Sequence, residues 1–180
     1  MSILEQLAIE QTRAWIEAVV VGLNFCPFAK RELRENAVRF AVCESGNTED
    51  ILQQLIDECG FLDAHDDMET TLLIVPNGFA DFMDYLDLAD LAEQLLAEQG
   101  YEGDYQVASF HPEYCFAEQD LDDPANYTNR SPYPMLHLLR EASLDKAIDA
   151  YPDIDSIPET NIEKARGLGS DYFKALLVKP

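Results

Sequence analysis

Thr70-Thr71-Leu72-Leu73-Ile74-Val75 is an almost unbroken apolar run. An alternating run would leave one sheet face to water, whereas a continuous one fits a strand covered by helices on both faces. The flanking sequence supports that reading. Upstream, Val38 to Cys43 reads as a second strand, and Asn47 or Thr48 caps a helix carrying Ile51, Leu52, Leu55, Ile56 and Cys59 on one face, with Gly60 as its predicted left-handed stop. Downstream, Ala80 to Gln99 is a long helix stopped by Gly100, and Tyr105 to Phe110 is the third strand. Strand, helix, strand, helix, strand is the pattern of a parallel sheet. The expected fold is therefore α/β, a small and mainly parallel sheet of three or more strands with flanking helices, in a single domain over residues 1–180.

The remainder of the chain is predicted as helix and loop. Ser2 and Glu5 form a capping-box pattern ahead of a helix from Ile3 to Leu23, and Pro27 opens a short helix to Glu35. A long stretch from His111 to Pro134 carries four prolines, while Tyr114, Phe116, Tyr127 and Tyr133 argue that it is an ordered loop. Helices are predicted at Met135 to Ala150, Pro158 to Arg166 and Ser170 to Val178, giving a helical C-terminal part.

Composition narrows the function. The chain of 180 residues has 35 acidic and 12 basic side chains, net charge −23, with no Lys or Arg between Arg39 and Arg130. Nucleic-acid affinity rests on clustered cations, so no nucleic-acid partner is expected. Much of the acidity is read as solubility or adaptation to salt. The four cysteines, Cys26, Cys43, Cys59 and Cys115, show neither a C-x-x-C pair nor a disulfide spacing, and reduced thiols follow. Glu5 and Glu10 stand where a signal peptide would carry basic residues, and the six apolar residues Ala18 to Leu23 fall far short of the ~20 that span a membrane. A cytoplasmic protein with no membrane partner is expected; oligomeric state is not legible.

Three places could carry chemistry. Ligands of parallel sheets bind beyond the carboxyl ends of the strands, which puts His111 at the expected mouth, although a histidine that pins the loop fits equally. Cys26 lies just before a predicted helix start, where the backbone dipole favours a thiolate, against burial between Phe25 and Phe28 as an inert thiol. His137 and Arg140, three apart on the predicted helix, would share a face, and Arg130 lies close before the helix begins, an arrangement suited to a carboxylate or phosphate. The arginines could equally neutralise local carboxylates. Phosphate-binding, nucleophile-elbow and dinucleotide motifs are absent, and the sequence implies no cofactor. His111-x-Glu113 lacks the downstream cysteines of a zinc deaminase, which leaves a metal site of His111, Glu113 and Cys115 as a minor reading.

The stretches Leu23 to Ala29 (LNFCPFA), Glu69 to Leu73 (ETTLL), Val107 to Tyr114 (VASFHPEY) and Asp123 to Arg140 (DPANYTNRSPYPMLHLLR) resemble the bacterial proteins catalogued as domain of unknown function 1415. The likeness runs the length of the chain. Phe25 replaces an expected leucine, and Cys115 stands where the pattern has no cysteine. The resemblance supplies no reaction, but it implies a common role for Cys26, His111, Arg130, His137 and Arg140.

The leading expectation is an enzyme-like pocket for a small anionic metabolite. Cys26 would be nucleophile or redox thiol and His111 its base, with Asn24, Asn126, Asn129, Arg130, Tyr133, His137 and Arg140 as the binding set. The alternatives are a non-catalytic anion- or peptide-binding module using the same residues, a metal-dependent hydrolase, or a purely structural or interaction protein.

Overall fold

The computed structural model describes residues 1–151 and 153–177. Helix α1 (Ile3–Trp15) begins at the predicted capping box of Ser2 and Glu5 and continues as a π-helical segment, Ile16–Val21. Then come α2 (Ala29–Arg34), β1 (Val38–Val42), α3 (Thr48–Asp63), β2 (Thr70–Ile74), α4 (Phe82–Glu98) and β3 (Tyr105–Phe110). A 3-10 turn, Pro124–Thr128, precedes β4 (Met135–Arg140), α5 (Glu141–Ala150), a second 3-10 turn, α6 (Ile157–Leu168) and α7 (Ser170–Leu176). The predicted end of the last helix, Val178, lies outside the described residues. Among those residues no helix is long and apolar enough to cross a membrane.

The sheet has four strands in the order β1-β2-β4-β3. β1 pairs parallel to β2, while β4 is antiparallel to both of its neighbours. Thus β1, β2 and β3 run in one direction, as the sequence pattern required, but β2 and β3 are held apart by a strand running the other way. This corrects the mainly parallel three-stranded sheet, and it corrects the helix expected over Met135 to Ala150, whose first six residues are strand. Met, Leu and Arg favour helix only by tenths of a kcal/mol, and ladder bonds on both edges outweigh that preference. Pro132 and Pro134 already push the residues before them into extended backbone.

Gly60 is also reassigned. It lies inside α3, which runs on to Asp63. The other stop residue is used as expected: Gly100 takes φ 84 just beyond α4. Asn47 caps α3, its side chain accepting the Asp50 N–H at 2.9 Å.

Both sheet faces are covered. Leu73, Leu136, Leu138 and Tyr105 pack under α3 and α4 with Leu55, Leu62, Tyr85 and Leu88. On the other face Leu72 and Met135 meet Trp15, Phe25, Tyr127 and Phe173. One charge enters the α3 side: Glu58, 4% exposed, accepts Arg39 Nε at 2.6 Å and Nη2 at 3.1 Å, and Thr71 Oγ1 at 3.3 Å. The Arg39 guanidinium also lies 3.9 Å from the centre of the Phe61 ring.

Candidate functional site

The widened end of the first helix builds the turn at Cys26. Gly22 N–H donates to Glu17 at 3.0 Å and Phe25 N–H to Val20 at 2.9 Å, each reaching back five residues. Asn24 then takes φ 55, a left-handed conformation that asparagine tolerates better than most residues, and the chain leaves the helix there. The Leu23 and Phe25 carbonyls would be left without partners, and α6 supplies them. Lys164 Nζ donates to Leu23 and Asn161 Nδ2 to Phe25, both at 2.7 Å. Phe25 turns into the core against Phe173, which stacks on Tyr127. Cys26 is only half-buried. Helix α2 begins at Ala29 rather than Pro27 and is six residues long, so the thiol is set back from the helix start on which the expected activation rested.

The long loop after β3 is ordered by the segment that follows it. Asn126 is fully buried, its Nδ2 donating to Asp120 at 2.8 Å and its Oδ1 accepting Phe116 N–H at 3.0 Å. Arg130 donates to the Tyr114 and Leu121 carbonyls, each at 2.9 Å, and lies over the Tyr127 ring. Asn129 Nδ2 donates to Ser109 at 3.1 Å. Tyr133 is buried and its hydroxyl bonds to Gln11.

His137 and Arg140 do not share a face. On a strand, residues three apart point to opposite sides. His137 lies beside Phe110 on the α1 side, while Arg140 reaches the carbonyls at the end of α3: Leu62, His65 at 3.1 Å and Met68 at 3.0 Å. His137 Nε2 sits 2.7 Å from Thr70 Oγ1, whose only hydrogen goes to the Leu138 carbonyl at 2.6 Å. The imidazole must therefore carry its proton on Nε2. Burial holds its pKa down at about 4.

His111 is likewise committed. Its ring is fully buried, Nε2 donating to the Phe79 carbonyl at 2.8 Å and Nδ1 accepting the Glu113 N–H at 2.9 Å. The one lone pair of the neutral ring is thus occupied, and burial lowers its pKa. The Cys26 thiol makes no hydrogen bond to it or to any other group among the described residues. Glu113 and Cys115 do not join His111 as ligands either: the Cys115 thiol faces the Phe116 and Gln119 carbonyls, and no group of three His, Cys, Asp or Glu suited to a metal occurs among the described residues.

The expected mouth beyond β1 and β2 is a shallow hollow of about 390 Å³ lined by Phe79, Leu88, Asp84 and Asp87, whose carboxylates would repel an anion. A second cavity, of about 360 Å³, opens beside Cys26. Phe25, Phe110 and Phe116 wall it, Ile157 and Ile162 of α6 close it, and Thr128, Asn129 and Asn161 are its polar members. It brings together Cys26 and Asn129 from the sequence-derived set. His111 borders it indirectly, its N–H donating to the Asn129 carbonyl at 3.3 Å. Asn161 carried no signal in the sequence, being one polar residue on a polar helix.

A family model described as protein of unknown function (DUF1415) matches residues 7–175. The chain belongs to this family. The match takes in all four stretches on which the resemblance rested, and with them every wall of the Cys26 cavity. No curated protein sequence and no solved structure is significantly similar to the chain.

Proposed function

We propose that this DUF1415 member binds a small molecule in the cavity beside Cys26, between the helix-exit turn, the end of β3 and α6. One observation carries the reading: the LNFCPFA and DPANYTNRSP stretches, far apart in sequence, both line one cavity, through Phe25 and Cys26 on the one hand and Thr128 and Asn129 on the other. Its volume of about 360 Å³ falls in the lower part of the range of small-molecule sites, and its walls are mostly apolar with a few polar groups. Asn126 and Arg130 act as scaffolding in this reading, fixing the loop that presents Phe116. Non-catalytic binding is favoured over a Cys–His pair because the lone pair of His111 is engaged by Glu113 N–H.

A second reading, thiol chemistry on the bound molecule, is favoured by the half-buried Cys26 in the wall. In such an addition the S–C bond forms as a C=O or C=C π bond of the substrate opens, and the thiol proton passes to the substrate atom that receives the electron pair.

The single tryptophan provides the test. Trp15 packs edge-on against Phe110 at 5.5 Å, so a molecule entering the cavity is expected to change its emission. A fragment screen read by Trp15 fluorescence should find saturable binders that also slow alkylation of Cys26. Replacing Cys26 with Ser should leave affinity nearly unchanged if the protein only binds, and abolish turnover if the thiol reacts. A screen in which no saturable binder protects Cys26 overturns the proposal.

A further inference from the structure

The polar atoms of the Cys26 cavity are not interchangeable, and their hydrogen bonds fix which way each amide faces. Asn161 gives its Nδ2 to the Phe25 carbonyl at 2.7 Å, and only the NH2 end of an amide can face a carbonyl. Its Oδ1 therefore turns the other way, and no donor reaches it among the described residues. Asn129 is fixed in the same manner, its Nδ2 donating to Ser109 at 3.1 Å. The nearest donor to Asn129 Oδ1 is Thr128 Oγ1 at 3.4 Å, and the single hydrogen of that hydroxyl already goes to Ala125 at 2.9 Å. Each amide has committed one of its two N–H groups to the backbone and has its carbonyl oxygen left to offer.

No charged side chain lines the cavity. Arg130 is turned to the Tyr114 and Leu121 carbonyls, Lys164 to Leu23, and Arg166 to Asp123 at 2.7 Å. A carboxylate entering here would meet two amide oxygens and no cation, in a protein of net charge −23. Burying an anion without a cation beside it is unfavourable by on the order of several kcal/mol, whereas an N–H or O–H satisfies the oxygens that would otherwise be covered dry.

Resting on the reading of this cavity as a ligand site, the geometry points to a substrate class: an aromatic or otherwise apolar molecule, uncharged or cationic, that donates N–H or O–H to Asn161 Oδ1 and Asn129 Oδ1 between Phe25, Phe110 and Phe116. The anionic metabolite expected from the arginine-rich sequence segment is the wrong charge for these walls.

Four probes of one shape test it: benzyl alcohol and benzylamine donate, benzyl methyl ether accepts but cannot donate, and benzoate is an anion. Binding is read on the full chain by shifts of the Asn129 and Asn161 side-chain amide resonances and by slowed alkylation of Cys26, with Cys115 as internal control. Benzyl alcohol and benzylamine should bind roughly three- to tenfold more tightly than the ether, the worth of one net hydrogen bond, and benzoate weakest of all. In Asn161→Leu the advantage of alcohol over ether should shrink. The order of the probes on the unaltered chain decides the matter if that variant does not fold. Benzoate or the ether binding as well as the alcohol overturns the assigned class while leaving the cavity a ligand site. No response to any probe by either readout overturns both.

Discussion

His111 donates Nε2–H to the Phe79 carbonyl at 2.8 Å, tying the end of β3 to a residue held at φ 53 in the loop after β2. A left-handed phenylalanine is strained, and this partly buried hydrogen bond helps to hold it. The acceptor role of Nδ1 towards the Glu113 N–H requires the neutral ring, whereas the bond to Phe79 is made by either form.

The consequence is a histidine-dependent loss of stability in mild acid. An unfolded histidine titrates near ~6.5. Burial lowers the folded pKa of His111, though the Phe79 bond and the nearby Glu113 and Asp81 oppose this, and holds that of His137 at about 4. Folded pKa values below the unfolded one mean that the unfolded chain takes up protons first. The contribution is therefore fully present above ~pH 6.5 and is lost as pH falls towards the folded values. For His137 it is on the order of 3 kcal/mol. Urea midpoints measured across this range should fall with acid, and His137→Gln should flatten the decline; an unchanged slope in that variant would sink the assignment.

Arg39 and Glu58 should respond asymmetrically to substitution. Arg39→Met strands a carboxylate that is 4% exposed and should cost about 3 to 5 kcal/mol. Glu58→Gln keeps an acceptor for Thr71 and leaves Arg39 on the Phe61 ring, so it should cost roughly half as much or less. Denaturation of the two variants side by side checks the order.

The four cysteines should label in two classes. Cys43 and Cys59 are buried, and burial raises both thiols, Cys59 to about 12. Both should resist alkylation in the folded protein, Cys59 most, while the half-buried Cys26 and Cys115 react. Peptide mass spectrometry after a timed pulse gives all four rates. Protection of Cys26 equal to that of Cys59 would close the proposed cavity.

Arg140 holds the end of α3 through three carbonyls and the Tyr105 hydroxyl at 3.2 Å. Lysine cannot reproduce that fork, so Arg140→Lys should cost about 1 to 3 kcal/mol in stability yet leave ligand protection of Cys26 intact. Thermal denaturation and the alkylation assay on the same variant separate the two effects.

The first three strands, the capping box of α1 and the Asn47 cap were legible in the sequence because hydrophobic period and cap chemistry are local. β4 was not. Met135-Leu136-His137-Leu138-Leu139-Arg140 carries no β-branched residue, and its extended form is imposed by β2 on one edge and β3 on the other, which no local pattern records. The same limit applied to the site. Cys26 and the Asn126 to Arg140 segment stood out by residue type, but which polar atoms were already spent on backbone carbonyls became visible only in the hydrogen bonds. Placing His137 with Arg140 inherited the helix error.

β4 joins neighbours that were synthesised well before it. Until residues 135–140 leave the ribosome, β2 and β3 have no partner between them, and two rows of unpaired backbone groups on apolar strands stay open. The sheet is thus completed by the insertion of a late, central strand, a pairing of high contact order that should be a slow step of folding. A nascent chain halted before Met135 exposes two strand edges that the finished sheet closes, and such a chain is expected to be prone to aggregation.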